Sequence, residues 1–287
     1  MAHSETSGSV AQAGDPLDLS LSDAELAARR EHVVSFIQDQ LTAAGVEDAV
    51  VGLSGGIDST TTAYLAVEAL GADHVYGLVM PSEVNDDQNM SDAERVAEEL
   101  GIEYDVIAIE PIVDAALAAV PDVSPDDATD ADPLKTAVAN LRARTRAVLN
   151  YFAANRRDAL VLGTGNRSEA LVGYFTKYGD GAVDCHPIAN LYKGQVRQLA
   201  RALGVADDLA EKTATAGLWS GQTDEAELGV TYETLDSILA LHVDGPLSES
   251  ATARELDVDE DVVAHVWKLH ERSAHKRATP PGPEPLP

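Results

Sequence analysis

The stretch VVGLSGGIDSTTTAYL, residues 50–65, contains the turn that decides the fold. A run of apolar residues ends at Leu53, two glycines follow, and an apolar pattern with helical spacing resumes at Ile57. This layout predicts a strand, a tight turn and a helix. The N-terminus of such a helix presents unpaired N–H groups and a partial positive charge, so the turn suits a phosphate group. Gly55 and Gly56 let the backbone approach the anion closely.

The turn has no lysine, although the phosphate-binding loop of kinase-type NTPases requires one. Ser54 and Ser59 add hydroxyl donors, and Asp58 adds a carboxylate. Magnesium is typically held by one or two carboxylates together with phosphate oxygens. Asp58 therefore indicates a divalent metal that offsets the phosphate charge. Two glycines and a serine alone would be weak support, because strand-to-helix turns of that composition are common.

Strand-like and helix-like segments alternate around this turn. An N-terminal helix opens with the capping box Ser22 to Glu25, and a later one repeats it at Ser91 to Glu94. The strand candidates are DAVVGLS, HVYGLVMP, IEYDVIAI and DALVLGTGN. Alternation at such short intervals predicts an α/β fold, a doubly wound parallel sheet with helices on both faces.

Composition changes at both ends of the chain predict the domain boundaries. Residues 1–20 are small and polar and are expected to form a flexible leader, and residues 279–287 a flexible, proline-rich tail. Residues 21–278 are expected to form one domain. Within it, VPDVSPDDATDADP is predicted to be an acidic loop between two helices.

The pattern loosens in the second half of the domain. Residues 173–190 and 206–227 are predicted to be long ordered loops, which in a compact domain are usually functional. Two helices near residues 230–242 and 258–272 are expected to complete the fold.

The chain is strongly acidic. Its 287 residues include 49 Asp and Glu against 20 Lys and Arg, a formal net charge of −29. This charge argues against nucleic-acid binding and is interpreted as halophilic, since concentrated salt screens the self-repulsion. The sequence has neither an apolar run long enough for a membrane span nor a signal-peptide pattern, and its single cysteine, Cys185, excludes an internal disulfide framework. A cytoplasmic protein is expected.

SGGIDS resembles the pyrophosphate-binding loop (PP-loop) of the ATP-pyrophosphatases, which split ATP between the α- and β-phosphates. From about residue 25 to residue 278 the chain is similar to the NAD synthetases within that family. The similarity lies in the motifs NLRART, VLGTGNRSEALVGYFTKYGDGAVDCHPIANLYKGQVRQLA, TATAGLWSGQTDEAELGVTYETLDSIL and HKR. The resemblance implies a Rossmann-like adenine nucleotide alpha hydrolase fold. It also implies that deamido-NAD is amidated with ammonia through an adenylate, with ATP as co-substrate and release of AMP and pyrophosphate.

The resemblance also implies a set of site residues. The implied ATP-binding residues are Gly52, Leu53, Ser54, Gly55, Gly56, Ile57, Ser59, Thr164, Lys193 and Thr215. The implied deamido-NAD-binding residues are Arg144, Lys177, Asp184, His275 and Lys276. The implied magnesium ligands are Asp58 and Glu169, and the implied catalytic residues are Asp58, Asp180 and Lys193.

Several of these assignments have a plainer alternative. Asp58 and Glu169 would follow strands of one sheet, so a shared metal is plausible, although Glu169 could merely cap a helix. Lys193 at a helix start is unfavourable for a cation unless an anion is nearby, which favours a phosphate contact over a solvated lysine. Asp180 could attract ammonium and accept its proton, or it could be only a turn residue.

The arginines of NLRART, Arg142, Arg144 and Arg146, cannot all share one helix face, so at least one is expected to point to solvent. The basic run His275 to Arg277 follows the last predicted helix and could simply complement the partial negative charge at its end. Gln88 is a weaker candidate for a nucleotide contact.

The resemblance further implies a homodimer. No glutamine-hydrolysing domain matches, so the nitrogen is expected to come from free ammonia or from a separate ammonia-supplying protein. Two rival functions are another PP-loop ligase, such as a tRNA-thiolating enzyme, and a nucleotide-binding module without catalysis. The first would need a basic surface, and the second would have little use for Asp58 together with Glu169.

Overall fold

The computed structural model describes residues 10–82, 87–121, 133–215 and 222–283. Four parallel strands form one sheet in the order β3-β2-β1-β4. The strands are β1 (Asp48–Leu53), β2 (Val75–Val79), β3 (Glu103–Val106) and β4 (Ala159–Leu162). The first three follow one another outward and the fourth returns to the other side of β1, so the strand order reverses there. Ligands of open α/β sheets bind at such a reversal, beyond the carboxyl ends of the strands.

Helices surround this sheet and continue beyond it. They are α1 (Asp23–Ala44), α2 (Ile57–Leu70), α3 (Asp87–Leu100), α4 (Glu110–Ala118), α5 (Pro133–Arg157), α6 (Arg167–Val172), α7 (Lys193–Ala202), α8 (Asp207–Ala210), α9 (Asp224–Leu228), α10 (Tyr232–Ile238), α11 (Glu249–Leu256), α12 (Glu260–Arg272) and α13 (Ala274–Arg277). A π-helical turn, Leu239–Val243, extends α10.

The alternation of side chains along β1 places helices on both faces of the sheet. Ala49 and Val51 pack in the same core cluster as buried residues of α1, α2, α3 and α7. Val50 points to the opposite face, where it packs in a cluster with α4 and α5. Successive strand residues point to opposite faces, so an apolar run such as Ala49–Val51 can be buried on both. The predicted doubly wound α/β fold is confirmed.

A third core cluster joins the C-terminal helices. Tyr192, Leu228, Tyr232 and Leu235 are buried in it together with residues of α11 and α12. Ala13, from the N-terminal segment, is buried in the same cluster. The C-terminal helices therefore have a core of their own beside the sheet.

Residues of the N-terminal segment form hydrogen bonds with the C-terminal part of the fold. The Ala11 N–H donates to the carbonyl of Gly229 at 2.9 Å, and the Ala13 N–H donates to Oγ1 of Thr234 at 2.8 Å. The Leu17 N–H donates to Oγ of Ser237 at 3.1 Å. Part of the predicted leader, residues 1–20, therefore bonds to α10 and to Gly229 before it. Short polar segments bury little area, so no packing signal for these contacts is present in the sequence.

Several helix boundaries also differ from prediction. The capping box predicted at Ser91 is wrong, because α3 begins at Asp87 and Ser91 lies inside it. The capping box at Ser22 is confirmed, with the Ser22 N–H donating to Oε2 of Glu25 at 2.9 Å. Helix α11 was not predicted, and the two late predicted helices correspond to α10 with its π-helical turn and to α12.

The remaining loop predictions have mixed outcomes. Residues 173–190 contain no helix or extended strand, whereas 206–227 contain α8 and the start of α9. Most of the acidic loop between α4 and α5, residues 122–132, lies outside the described residues, as does the side chain of Gln88. Within the described ranges, no helix has the length and apolar character needed to cross a membrane.

Candidate active site

The glycine turn joins β1 to α2 at the strand-order reversal. Gly55 has a φ of 71°, which favours glycine, and Gly56 is the N-cap residue of α2. The Ser54 N–H donates to Oγ of Ser59 at 3.2 Å, and the Ser59 hydroxyl donates to the carbonyl of Gly56 at 3.0 Å. These bonds fix the turn from inside. Because glycine has no side chain to cap the helix, the first N–H groups of α2 have no cap hydrogen bond, and such groups can bind an anion.

Lys193 lies between the two carboxylates that the sequence predicted to come together. Its Nζ forms an ion pair with Oδ2 of Asp58 and lies 3.1 Å from Oε1 of Glu169. The Lys193 side chain is only 2% exposed, so the interpretation of a solvated lysine is wrong. The anion that makes a cation tolerable at the start of α7 is therefore a pair of carboxylates from α2 and α6.

Asn166 connects the two acidic residues. It is the N-cap residue of α6, and its Oδ1 accepts a hydrogen bond from the Glu169 N–H at 3.0 Å. Its Nδ2 donates to Oδ1 of Asp58 at 3.0 Å. Glu169 completes a capping box by accepting from the Asn166 N–H at 3.4 Å. The capping interpretation of Glu169 is thus correct, and it coexists with the contact to Lys193.

Burial is the main cause of the pKa shifts of the acidic residues in this site. Desolvation raises the pKa of Glu169 above its usual range, with Asp58 adding to the rise and Lys193 opposing it. Burial also raises the pKa of Asp224, whose carboxylate accepts hydrogen bonds from Tyr232 at 2.9 Å and from Tyr174 at 3.0 Å. The site therefore concentrates acidic groups around one ammonium.

A second buried carboxylate fixes the backbone at Lys193. Oδ2 of Asp236 accepts from the Gly194 N–H at 2.9 Å, and its Oδ1 accepts from the Ser168 hydroxyl. Oγ of Ser168 in turn accepts from the Lys193 N–H at 2.9 Å. Since Ser168 precedes Glu169, this network ties both residues of the ion pair to α10. Burial raises the pKa of Asp236 to about 6.

One cavity of about 550 Å³ collects most of the predicted residues. Its lining includes Gly52, Leu53, Ser54, Gly56, Ile57, Asp58, Ser59, Thr164, Glu169, Asp180, Lys193, Thr215 and Lys276. Gly55, Arg144, Lys177, Asp184 and His275 are described but do not line it. A groove between α1 and α7, lined by residues such as Leu26 and Arg30, contains none of the predicted residues.

The predicted basic residues next to the cavity form a chain of contacts. Arg144, which is exposed on α5, donates to the carbonyl of Lys177 at 3.2 Å. Lys177 Nζ donates to the carbonyl of His275 at 2.6 Å, and Lys276 Nζ donates to the carbonyl of Gly173 at 2.8 Å. The HKR run is therefore part of α13 rather than a segment after the last helix, and it packs on the loop that begins at Gly173.

Asp180 and Asp184 have different environments. Asp180 lines the cavity, its carboxylate accepts from the Thr176 N–H at 2.9 Å, and desolvation by the surrounding protein raises its pKa. Asp184 accepts from the Val161 N–H at 2.7 Å and from the Tyr151 hydroxyl at 3.2 Å. Asp184 therefore continues the hydrogen bonding of β4 outside the cavity.

The three arginines of NLRART diverge as helix geometry requires. Arg142 forms an ion pair with Glu110, and Arg146 donates to the carbonyl of Met80 at 3.0 Å. Arg144 is the exposed one, which confirms the prediction that at least one points outward. Burial lowers the pKa of Arg146 to about 10.

The model of the family described as NAD synthase matches residues 30–280. The chain belongs to the NAD synthase family. This family member is 62% identical over 268 residues to the NH(3)-dependent NAD(+) synthetase of Halobacterium salinarum, covering 93% of this chain and 97% of the relative. The predicted family and enzyme class, an ammonia-dependent carbon–nitrogen ligase that uses ATP, are confirmed, and a halobacterial relative fits the halophilic interpretation.

Two solved structures share the fold of this NAD synthase family member. An NMN synthetase from Francisella tularensis matches with a TM-score of 0.77 and 35% identity, covering 92% of this chain and 99% of that chain. An NH3-dependent NAD synthetase from Campylobacter jejuni, solved with a nitrate ion, matches with a TM-score of 0.74 and 28% identity, covering 92% and 100%.

Sequence reasoning missed several residues that build the site in this NAD synthase family member. Asp224, Tyr232 and Asp236 lie in the quoted motif TATAGLWSGQTDEAELGVTYETLDSIL but were not singled out. Lys212, which lines the cavity, was not singled out either. The signal that could have found Asn166 is its capping spacing to Glu169; the other contacts depend on packing between distant elements.

Proposed function

We propose that this chain amidates deamido-NAD to NAD with ATP and ammonia. The nicotinate carboxylate attacks the α-phosphorus of ATP and expels pyrophosphate, and ammonia then attacks the acyl carbon of the adenylate and expels AMP. The observation that carries the proposal is the convergence of the PP-loop with Asp58, Glu169 and Lys193 in one cavity. Holding the reactants in line and stabilising phosphate charge account for much of such catalysis.

The cavity residues fit a magnesium ion. Asp58 and Glu169 both contact the ammonium of Lys193, so the two carboxylates lie close together, and carboxylate oxygens are the ligands that magnesium prefers. The described residues contain no group of three or more His, Cys, Asp or Glu side chains that could hold a metal ion. Asp58 and Glu169 would hold the ion, and when bound it would supply charge neutralisation for the leaving pyrophosphate.

The ATP side of the cavity is assigned to the glycine turn and the ends of two strands. Gly52 to Ile57 and Ser59 offer backbone N–H and hydroxyl groups, and Thr164 follows β4 across the strand-order reversal. Thr215 lines the same cavity. Lys193 contacts the phosphates in this assignment, with Asp58 and Glu169 on its other side. Gly56 offers no side-chain cap to the N–H groups at the start of α2, and such a helix N-terminus favours an anion, which supports the assignment.

The deamido-NAD side is assigned to the basic chain beside the cavity. Arg144, Lys177, His275 and Lys276 are linked by the hydrogen bonds of α5, the loop and α13, and a guanidinium suits a pyrophosphate or carboxylate group. Asp184 belongs to this set by resemblance. Asp180, with its raised pKa inside the cavity, would attract ammonium and accept its proton.

We also propose a cytoplasmic homodimer. Helix α5 exposes Val148 at 68% and Phe152 at 60%, one turn apart on the side that carries Arg144. Exposed apolar residues at this spacing support an interface with a second copy. The nitrogen would come from free ammonia or from a separate ammonia-supplying protein.

A second acceptor deserves a test because the Francisella protein is an NMN synthetase. The corresponding acceptor would be nicotinate mononucleotide, which carries the same carboxylate without the adenylate half. The higher identity to the Halobacterium relative favours deamido-NAD.

The deciding experiment measures AMP and NAD formation from ATP, deamido-NAD, magnesium and ammonium across a range of KCl. Glutamine replaces ammonium in one arm, and nicotinate mononucleotide replaces deamido-NAD in another. NAD and AMP in equal amounts with ammonium alone support the proposal. No NAD at any salt concentration, with folded protein that binds ATP, refutes it. A higher kcat/KM with nicotinate mononucleotide than with deamido-NAD would identify nicotinate mononucleotide as the acceptor.

A further inference from the structure

Lys193 does not by itself balance the acidic groups beside the glycine turn. Two carboxylates contact Lys193, so this group of three side chains has no net positive charge. Asp224 adds a further acidic group nearby, because its carboxylate shares the Tyr232 hydroxyl with Glu169. A triphosphate that enters the cavity therefore meets acidic groups beside the N–H groups of α2. Another positive charge at the turn would lower this repulsion.

Lys212 lies at the turn itself. Its Nζ donates to the carbonyl of Gly55 at 3.2 Å and forms an ion pair with Asp92 on α3. The Lys212 side chain is 22% exposed and lines the same cavity as Ser54 and Gly56, whereas the Asp92 side chain is only 6% exposed. The ammonium has three N–H donors, and the contacts with Gly55 and Asp92 use two. The cation is thus held beside the turn with a donor left for an anion.

An ion-pair network holds Lys212 in this position. Arg95, on α3, pairs with Asp92 at 3.3 Å and with Asp208 at 2.8 Å. Asp208 belongs to α8, which ends two residues before Lys212. The network therefore fastens the segment that carries Lys212 to the helix beside the turn. Such a preorganised cation loses little side-chain entropy on binding.

The other cationic side chains that line the cavity, such as Arg146 and Lys276, form hydrogen bonds away from the glycine turn. Arg146 donates to the carbonyl of Met80 and to Oγ of Ser82 at 3.3 Å, after β2. Lys276 donates to the carbonyls of Gly173 and Phe175 at 2.8 and 2.7 Å. Among the cavity cations that the structure describes, Lys212 is the one bonded to the glycine turn.

We propose that Lys212 is a further ATP-binding residue, which contacts the phosphates at the glycine turn and retains the pyrophosphate leaving group. The inference rests on the proposed function for the identity of the nucleotide. Asp92 fixes the ammonium at the turn, and the phosphate binds the remaining donor. The turn thus obtains its missing lysine from a distant loop instead of from its own sequence.

The test compares three variants by equilibrium ATP binding, KM for each substrate, and inhibition by pyrophosphate. Lys212→Met removes the charge, Lys212→Arg keeps it, and Asp92→Asn removes the ion pair but keeps the cation. Lys268→Met, at an exposed position of α12, is the matched control. A charge-assisted contact predicts that Lys212→Met weakens ATP binding and pyrophosphate inhibition by about tenfold to a hundredfold. The KM for deamido-NAD should stay within about twofold if no contact with that substrate is lost.

The outcomes separate phosphate binding from a structural ion pair. Retained ATP binding in Lys212→Arg and Asp92→Asn, with loss in Lys212→Met, supports the proposal. Unchanged ATP binding in Lys212→Met, or equal losses in Lys212→Met and Asp92→Asn, overturns it. If Lys212→Met does not fold, Lys212→Gln replaces it, because its amide can still donate to Asp92. Failure of the wild type to form NAD would refute the proposed function, whereas ATP binding by the variants would still decide the role of Lys212.

Discussion

The Nζ of Lys193 lies 3.1 Å from Oε1 of Glu169, and the same ammonium pairs with Asp58. These contacts join the first turns of α2, α6 and α7 at one point. Burial would favour loss of charge from each group alone, but Asp58 and Glu169 together keep the pKa of Lys193 raised. The charges of Lys193 and of the two carboxylates therefore compensate one another, which stabilises the site.

Removing the central cation should destabilise the protein. Lys193→Met leaves Asp58 beside Glu169 without compensation, and removal of one partner of a buried ion pair typically costs about 3–5 kcal/mol. We expect a decrease of this size in the free energy of unfolding, measured with denaturant in KCl, together with loss of NAD formation. Lys268→Met should match the wild type in both. Unchanged stability of Lys193→Met would contradict the buried ion pair.

The two carboxylates should set the magnesium requirement. Asp58→Asn and Glu169→Gln each remove a charged ligand, so the magnesium concentration for half-maximal turnover should rise by at least about tenfold. A magnesium titration of initial rates measures this, and isothermal titration with ATP present checks it without turnover. Glu233→Gln, at an exposed position of α10, is the control. Equal magnesium dependence in all variants would reject Asp58 and Glu169 as ligands.

Asp236 should make stability depend on pH. Its pKa in the folded protein is raised to about 6 from 3.8, so the folded state binds more protons than the unfolded state between these values. The contribution of Asp236 is therefore fully present below about pH 4 and is lost as the pH rises through about 6. The difference in free energy of unfolding between wild type and Asp236→Asn should decrease by about 2–3 kcal/mol over this range.

The free energy of unfolding of wild type and of Asp236→Asn is measured in the same molar KCl. The pH dependence that comes from all other carboxylates then cancels in the difference. Ser168→Ala removes a neighbouring hydroxyl without removing the titrating group, so it should keep a pH-dependent difference from Asp236→Asn. A difference between wild type and Asp236→Asn that is constant from pH 4 to pH 7 would show that Asp236 has an ordinary pKa.

The N-terminal segment should stabilise the C-terminal helices. Deletion of residues 1–17 removes the contacts of Ala11 and Ala13 with Gly229 and Thr234, each worth about 1 kcal/mol. We expect a loss of about 2–4 kcal/mol in stability from these bonds and the burial of Ala13. Deletion of residues 1–9 removes none of these contacts and serves as the control. Equal Tm values for the two truncations would show that residues 10–17 contribute nothing.

The acidic surface should make the protein depend on salt. A net charge of −29 repels itself, and concentrated KCl shortens the screening length to a few ångströms. Tm should therefore rise from low to molar KCl, measured by calorimetry. Sucrose at equal osmotic strength does not screen charge and serves as the control; an equal rise with sucrose would contradict an electrostatic cause.

Local patterns were predictable from the sequence because their causes are local. The glycine turn, the Ser22 capping box and the alternation of strands and helices depend on residues a few positions apart. Ser91 shows the limit of this approach, since a capping pattern inside α3 was taken for a helix start. Ala13 and Leu17 show another, because their partners lie more than 200 residues away in the chain.

The sequence by itself determined the fold class and the glycine turn between β1 and α2, and it predicted several of the residues that line the cavity beside that turn. Only the tertiary structure decided that Lys193 is buried between Asp58 and Glu169, which are 135 and 24 residues away from it. It also decided that Lys212 reaches Gly55, across 157 residues. The reason is that the strand order brings β4 beside β1, and helix packing on that sheet then sets which distant side chains share one low-dielectric site.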